Sequence, residues 1–292
     1  MDAVITYVDG TDPLWQRDFA VASGGTESVR RYRDWGTLPY LLRGIGRHLP
    51  FVETVYLGVA RESQVPDWAD RSALRIVLHR DILPEQLLPT FNSTTIELFL
   101  HRIEGLSEQY LYFNDDFFPV RDSAAEDFFP GGRPAIGFHR HLLVSGLYKR
   151  QSRNAWRFAR TALGLRPGIG FRRPQHTCSP MLRSVCDELF DRTEQQLLAT
   201  ATPLRMAGNL NQYVYLDYAL LAGKGIARAL SNRHISLGAV TPERLSEAIL
   251  KPDRNILCIN DVEMNPKRFE ALRTAMLAAF QARFPEKSRF ER

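Results

Sequence analysis

The segment Tyr110–Phe118, YLYFNDDFF, constrains the fold and chemistry of this chain more than any other. Its first residues are typical of a buried strand. Asp115 and Asp116 follow directly, and burying two carboxylates is costly unless a metal, a cation or water compensates their charge. Since ligands of open α/β sheets bind beyond the carboxyl ends of the strands, the segment predicts a divalent metal that holds a phosphorylated substrate. The alternative is an Asn-Asp turn with a helix cap.

Two further predicted strands also end in carboxylates. Val4–Val8 is followed by Asp9-Gly10-Thr11-Asp12-Pro13, where Gly10 would let the backbone approach a ligand closely. The alternative there is a plain link between a strand and a helix. Late in the chain, Asn255–Asn260 precedes Asp261, so the same pattern occurs again.

Alternating strand and helix patterns set the expected fold class. A helix is predicted from about Thr37 to His48, and strands over Thr54–Ala60 and Leu74–His79. Other predicted elements are a strand over Ala135–His139, an apolar helix or strand over Tyr213–Leu221, and helices from about Ser93 through Ile103, Met181 to Thr193, Thr241 to Leu250 and Pro266 onward. This order predicts an α/β fold with a mostly parallel, Rossmann-like sheet flanked by helices.

The charge of the chain is unevenly distributed. The net charge is +5, yet no Asp or Glu occurs from Phe128 to Cys186, a segment that holds 11 Lys and Arg residues. A segregated basic block indicates an anionic partner: a phosphorylated donor, a polyanionic acceptor, an anionic membrane surface or nucleic acid. A merely solvated face would usually mix both signs.

Several classes of protein are disfavoured by the sequence. No apolar run approaches the ~20 residues of a membrane-spanning helix, and the first residues lack the pattern of a signal peptide. The three cysteines have neither metal-site spacing nor an even number, so a reduced, cytoplasmic setting is expected. Because no RNA- or DNA-binding module is recognisable, no nucleic-acid partner is expected.

Two polar residues outside the carboxylate turns are candidates for the site. Glu97 and His101 are four apart on the predicted helix from Ser93, so they either form a solvent-side pair or Glu97 faces the cleft opened by the following strand. His176 follows two arginines and precedes a predicted helix, which is a favourable place for an anion. A lone histidine is, however, more often structural than catalytic.

Four blocks of the sequence together resemble the Stealth family, which comprises bacterial capsule-type hexose-1-phosphate transferases and the catalytic subunit of the lysosomal-enzyme N-acetylglucosamine-1-phosphotransferase. The first block is Ala3–Trp15, AVITYVDGTDPLW. The second runs from Arg31 to Phe118 and includes RYRDWGTLPYLLRGIGRHLPFVETVYL and LPTFNSTTIELFLHRIEGLSEQYLYFNDDFF. The third lies around His176 and from Arg205 to Tyr218, and the fourth is Cys258–Asp261. The second block is long and specific, and the resemblance spans nearly the whole chain.

The resemblance implies a role for each matching position. The donor-binding residues would be Asp9, Gly10, Asp12, Asp34, Arg43 and Asn114. The catalytic residues would be Glu97, Asp115, Asp116, His176 and Arg205. Asp115, Asp116 and Asp261 would hold Mg²⁺ or Mn²⁺. One departure is Asn209, which stands about where relatives often have an acidic residue after the arginine.

The resemblance also implies a nucleotide-sugar-transferase-like fold and a reaction. A hexose-1-phosphate, with UDP-N-acetylhexosamine favoured as donor, would pass to a hydroxyl of an anionic glycan, and a nucleoside monophosphate would leave. The imidazole of His176 is the favoured general base, because histidine ordinarily titrates nearest neutrality; Glu97 could instead orient the hydroxyl or the histidine. The closest alternative is a metal-dependent glycosyltransferase that releases a nucleoside diphosphate; a metal-dependent phosphodiesterase or nuclease and a nucleic-acid binder are more distant.

A single catalytic domain over residues 1–292 is expected, without a clear linker. Its parts would be a nucleotide-sugar-binding half (1–125), a basic insertion on the acceptor side (126–186) and the remaining catalytic part with the last helix (187–292). The protein would be cytoplasmic, and the basic insertion leaves open a peripheral contact with the inner membrane.

Overall fold

The computed structural model describes residues 1–25, 32–166 and 168–292, so Arg31, at which the second block begins, lies outside the described residues. The described strands are β1 (Asp2–Thr6), β2 (Thr54–Val59), β3 (Leu74–Leu78), β4 (Gln109–Asn114), β5 (Phe117–Pro119), β6 (Phe138–His141), β7 (Phe171–Pro174), β8 (Ser179–Leu182), β9 (Asn232–Ser236) and β10 (Ile256–Asn260). The described helices are α1 (Pro13–Ser23), α2 (Leu38–His48), α3 (His79–Ile82), α4 (Ser93–Glu97), α5 (Ala125–Phe128), α6 (Gly146–Ala162), α7 (Arg183–Leu198), α8 (Tyr213–Leu221), α9 (Pro242–Leu250) and α10 (Pro266–Arg283).

The central sheet has five strands in the order β3-β2-β1-β4-β8. Its first four strands are parallel, and only β8 runs antiparallel to its neighbour β4. The expected α/β class with a mostly parallel sheet is therefore confirmed. Because β1 and β4 are adjacent and in register from Asp2↔Tyr110 to Thr6↔Asn114, the residues that follow them emerge side by side at one edge.

Both faces of the central sheet are covered, which explains why its strands are almost continuously apolar. Ala3 and Ile5 of β1 belong to one buried cluster, and Val4 belongs to the cluster on the opposite face. This alternation is the two-residue period of a strand. The first cluster includes apolar residues of α2, α9 and α10, and the second includes those of α7 and α8.

A second sheet, β5-β10-β9, continues from the central one. Only Asp115 and Asp116 separate β4 of the first sheet from β5 of the second, so the acidic doublet lies where the chain passes between sheets. The amide of Ile259 in β10 donates a hydrogen bond to the backbone carbonyl of Asp116 at 2.9 Å. This contact fixes the doublet against the end of β10.

Strands β6 and β7 form a separate antiparallel ribbon, with α6 between them in the chain. On one face of the ribbon, the Arg172 guanidinium stacks over the rings of Phe138 and Trp156, which ties α6 to β7. The basic block thus forms a helix packed on a two-stranded ribbon. No helix among the described residues is long and apolar enough to cross a membrane.

Several element boundaries differ from those predicted. The helix predicted through Ile103 ends at Glu97 and is followed by a short 3₁₀ turn. The predicted start of a helix at Met181 is occupied by β8, and the helix begins at Arg183. An edge strand tolerates Pro180, which obscured it in the sequence. The strand predicted over Ala135–His139 lies over Phe138–His141 instead. The three-part division of the domain stays a prediction.

Candidate active site

Two cavities lie at the carboxyl edge of the central sheet and share one wall. The first, of about 280 Å³, is lined by aromatic residues and by carboxylates. The second, of about 690 Å³, is lined almost wholly by polar residues. The side chains that line both cavities are Ser93, Asn114, Arg205 and Asn260. A group lying at this shared wall would contact ligands in both cavities.

The aromatic part of the first cavity is built by α1 and two loops. Trp15 packs against Tyr32 and Phe91 with ring centroids 4.7 and 5.3 Å apart. The Tyr32 hydroxyl donates to the Phe91 carbonyl at 2.8 Å, which holds the Tyr32 side chain beside Phe91. All three residues line the cavity. Rings of this kind offer a flat apolar surface suited to a nucleobase or sugar.

The carboxylates of the first cavity are Asp34, Asp115, Asp116 and Asp261. Burial and the neighbouring charges of Asp116, Asp34 and Asp261 raise the pKa of Asp115 to about 7. Asp116 Oδ1 is buried and has no hydrogen-bond partner among the described residues. Oxygen atoms arranged in this way suit a hard divalent cation, which would compensate both the burial and the repulsion.

His176 connects the acidic doublet to the second cavity. Its Nε2 lies 3.5 Å from Asp116 Oδ2, and its ring packs edge-on against Phe117 with centroids 5.0 Å apart. Asp116, His176 and Cys258 place one potential ligand atom each within 4.8 Å of one another. Burial and the Asp116 charge raise the pKa of the Cys258 thiol, which disfavours the thiolate that a metal needs.

Glu97 is buried in the second cavity and does not form a surface pair with His101. Asn211 Nδ2 donates to Glu97 Oε2 at 3.0 Å. Burial raises the pKa of Glu97, while Arg205, Asn211 and His176 oppose that rise. Of the two interpretations of Glu97 from the sequence, the structure supports the one in which it faces the cleft.

Arg205 is held at the shared wall by a loop that closes over α4. Its guanidinium donates to Ser93 Oγ. Asn209 is buried and fixes this loop, because its Oδ1 accepts from Asn92 Nδ2 at 3.0 Å and from the Met206 amide at 2.5 Å. The residue that departs from the family pattern therefore has a structural role here, close to Arg205.

The link between β1 and α1 contains three residues that were predicted to bind the donor: Asp9, Gly10 and Asp12. Asp9 accepts from the Thr11 amide at 2.8 Å, and Asp12 caps α1 by accepting from the Leu14 amide at 2.9 Å. A Cβ at Gly10 would lie 2.0 Å from the Tyr32 carbonyl oxygen, so the close approach that needs glycine is to backbone and not to a ligand. None of the three lines either cavity. The geometry of this turn fits the alternative in which it only links a strand to a helix.

Arg43 also lies apart from both cavities. It forms a two-pronged ion pair with Glu291, at 2.9 and 3.2 Å from its Nε, and donates to the Phe284 carbonyl at 2.7 Å. The pair anchors the end of the chain to α2. The structure gives Arg43 an anchoring contact that occupies its hydrogen-bonding atoms, and its part in donor binding stays a prediction.

Asp34, Asn114 and Asp261 do reach the first cavity. Asp34 accepts from the Tyr7 hydroxyl at 3.3 Å. Asp261, predicted as a metal ligand, accepts instead from Arg33 at 3.0 Å and from Trp35 Nε1 at 3.1 Å. Its charge is therefore already compensated by a cation of the protein.

Several lining residues were not singled out from the sequence. They are Arg173, His139, Tyr148, Gln151, Asn211 and His234 in the second cavity and Asn260 at the shared wall. Arg173 belongs to the basic block and Asn260 precedes Asp261, a predicted site residue, so sequence patterns already pointed to the neighbourhood of both. His234 stands alone in a short polar strand, and no sequence pattern indicated that it lines a cavity.

A family model and several relatives match this chain. The family model described as Stealth protein CR2, conserved region 2, matches residues 31–134, which include Asp34, Glu97 and the acidic doublet. A receptor polysaccharide phosphotransferase, WefC of Streptococcus oralis, is 29% identical over 332 residues, covering 100% of this chain and 99% of that protein. A capsular polysaccharide phosphotransferase, WcwK of Streptococcus pneumoniae, is 28% identical with the same coverage.

Among solved structures, the galactosyltransferase LgtC in complex with donor and acceptor sugar analogues aligns with 94% of this chain and 96% of that one, at 14% identity and a TM-score of 0.40. The matched region and the relatives that align over the whole chain together support a Stealth-family protein.

Proposed function

We propose that this protein transfers a hexose-1-phosphate from a nucleoside diphosphate sugar to a hydroxyl of an anionic glycan, with release of a nucleoside monophosphate. UDP-N-acetylhexosamine is the proposed donor. The relatives named polysaccharide phosphotransferases support this reaction. The observation that carries it is the shared wall, where Asn114 and Arg205 face both cavities beside the acidic doublet.

The donor would bind in the first cavity, with its nucleoside against Trp15, Tyr32 and Phe91. Its diphosphate would then reach the shared wall, where the Arg205 guanidinium suits phosphoryl oxygens in fork geometry. Asp34 would accept a hydrogen bond from a sugar or ribose hydroxyl. This placement uses the apolar and the charged halves of the cavity for the two chemically different halves of a nucleotide sugar.

The acceptor would bind in the second cavity, which the ribbon of β6 and β7 borders. Arg173 lines this cavity and stacks over Tyr148 at 5.6 Å. An arginine at this position suits a phosphate or carboxylate on the acceptor glycan. The acceptor hydroxyl would then lie close to His176, on the opposite side of the shared wall from the donor.

In the reaction, the acceptor oxygen attacks the phosphorus that carries the sugar. A new P–O bond forms, and the bond from that phosphorus to the bridging oxygen of the diphosphate breaks. The sugar's anomeric bond stays intact. His176 would take the hydroxyl proton, and Glu97, held by Asn211, would orient the hydroxyl or the imidazole. Arg205 would stabilise the charge on the phosphoryl oxygens.

Asp115 and Asp116 are the residues that we propose to hold Mg²⁺ or Mn²⁺. The orphaned oxygen of Asp116 and the mutual repulsion of the carboxylates both favour a divalent cation there. When bound, the cation would neutralise negative charge on the donor diphosphate. Asp261 already accepts hydrogen bonds from Arg33 and Trp35, which leaves the doublet as the proposed ligand pair.

The three cysteines are free and buried, as expected of a protein in a reducing compartment. We therefore propose that the reaction takes place in the cytoplasm, where a thiol such as Cys258 would stay reduced beside the acidic doublet.

The identity of the released nucleotide tests the reaction. The protein is incubated with Mn²⁺ or Mg²⁺, a panel of nucleotide sugars and a phosphorylated oligosaccharide acceptor. Nucleoside monophosphate, with a ³¹P phosphodiester signal in the glycan product, is the expected result. Release of nucleoside diphosphate would mean glycosyl transfer and would overturn the proposal.

The metal is tested separately from turnover. Mn²⁺ should raise the melting temperature of the wild-type protein, and Asp115→Asn should abolish that rise. Asp9→Asn changes a carboxylate outside both cavities and is the matched control, which should respond to Mn²⁺ as the wild type does. An equal response of Asp115→Asn would exclude the doublet as the ligand pair.

A further inference from the structure

The end of the β6–β7 ribbon carries exposed apolar residues. Leu142 and Leu143 follow β6, and Ile169 lies just before β7. Their side chains are 73%, 83% and 93% exposed. A Cβ at Gly170 would lie 3.4 Å from Leu142 Cδ2, so the residue that follows β6 and the residue that precedes β7 are in contact. We call Leu142, Leu143 and Ile169 the apolar tip.

Two more exposed apolar residues lie near the tip in the sequence. Leu147, in the first turn of α6, and Leu165, after its last turn, are also exposed. Single exposed apolar residues are ordinary, but a group of them at the end of a two-stranded ribbon marks a surface for interaction. The charges around it indicate what kind of partner this surface fits.

The residues that adjoin the tip in the chain include several cations and no acid. Arg140 and Arg166 are exposed next to it in the chain, and Lys149 and Arg150 lie in the first turns of α6. No Asp or Glu occurs from Phe128 to Cys186, so no acid within this segment offsets them. Apolar side chains within a basic rim match an anionic lipid surface, in which the apolar groups enter the acyl boundary and the cations meet the headgroups.

We propose that the apolar tip docks this protein on an anionic membrane surface. The docking also places the second cavity close to that surface. His139 and Arg173 pair across the ribbon and line the cavity, and Leu142 is three residues beyond His139. At the rise of a strand this separation is about 10 Å. An acceptor attached to a lipid would therefore find the cavity near the membrane.

Vesicle co-sedimentation tests the proposal independently of the reaction. The whole protein is mixed with vesicles of phosphatidylcholine alone or with one third phosphatidylglycerol. Binding to the anionic vesicles, weakened by high salt, is expected, and the double variant Leu142→Ser with Leu143→Ser should lower the partition coefficient by about tenfold or more. The matched control is Val21→Ser with Leu250→Ser, two exposed apolar residues outside the ribbon, which should bind as the wild type does.

A second measurement reports the depth of the tip. In Leu143→Trp, emission should shift to shorter wavelength when anionic vesicles are added, and brominated lipid should quench the shifted part. The proposal is overturned if the wild type does not sediment with anionic vesicles, or if both double variants lose binding equally. A third outcome would also overturn it. In that outcome the wild type is an oligomer, and the double variant Leu142→Ser with Leu143→Ser is a monomer that binds vesicles as well as the wild type does.

Discussion

Nε2 of His176 lies 3.5 Å from Oδ2 of Asp116, and this contact joins the two cavities. Asp116 lines the first cavity and His176 lines the second. The carboxylate can therefore orient the imidazole towards the second cavity while it lines the first. A general base in this position would act on a hydroxyl directly opposite the donor phosphorus.

His176→Ala should lower kcat by about 10²- to 10⁴-fold, the usual contribution of a general base, while donor affinity stays within about twofold. Added imidazole should restore part of the turnover. The measurements are single-turnover kinetics and calorimetric donor titration. His139→Ala removes a second histidine from the same cavity and should not respond to imidazole. Full turnover of His176→Ala would exclude the assignment.

Arg205→Lys should lower kcat by about 10²-fold, because an ammonium group cannot reproduce the fork that a guanidinium offers to phosphoryl oxygens. Ser93→Ala removes the hydroxyl that receives the Arg205 hydrogen bond and should lower kcat by only about tenfold. Steady-state kinetics of the two variants give the comparison. If Ser93→Ala were the more damaging change, the hydroxyl and not the arginine would be the important group at the shared wall.

Arg173→Glu should raise the acceptor KM by at least about tenfold and leave the donor KM unchanged, since Arg173 lines only the second cavity. The wild-type acceptor KM should rise with ionic strength, and the variant should lose most of that dependence. Arg157→Glu reverses an exposed charge on α6 outside the cavity and should have a weaker effect. Equal effects of the two variants on the acceptor KM would show that the acceptor responds to the charge of the whole basic block.

The buried parallel strands could be predicted from the sequence because their residues are apolar on both faces. The runs that became β2 and β3 were predicted with nearly correct ends. Strands β8 and β9 were missed for a physical reason. The first contains Pro180 at the sheet edge, and the second has the polar sequence NRHIS, so neither carries a hydrophobic pattern.

Polar residues that line a cavity could be predicted where burial makes a polar residue unusual. Asp115, Asp116 and Glu97 stand in or after apolar runs, and all three reach a cavity. Asp12 and Arg43 could not be separated from them in advance, because a carboxylate that caps a helix and an arginine that anchors a chain end look the same in sequence as ligand-binding residues. Their hydrogen-bond partners indicate a structural role, and these partners appear only in the fold.

Acid should destabilise the protein through His79. Burial lowers the pKa of His79 from about 6.5 to about 4, so the unfolded chain binds the proton more tightly. Stability therefore falls as the pH drops from about 6.5 towards 4, by about 2 kcal/mol between pH 7 and pH 5 from this residue. His79→Asn should make that part of the fall disappear in urea unfolding at the two pH values. Identical slopes for variant and wild type would refute the assignment.

Two glycines of α2 should respond oppositely to alanine. A Cβ at Gly44 would lie 2.4 Å from the Pro119 carbonyl oxygen of β5, whereas at Gly46 the nearest atom is 3.7 Å away. Gly44→Ala should therefore force α2 away from β5 and cost about 1–3 kcal/mol. Gly46→Ala meets no obstacle and should stabilise by up to about 1 kcal/mol, because alanine favours a helix interior over glycine. Urea unfolding of both variants measures the difference. Two changes of the same sign would mean that α2 does not pack on β5 as closely as described.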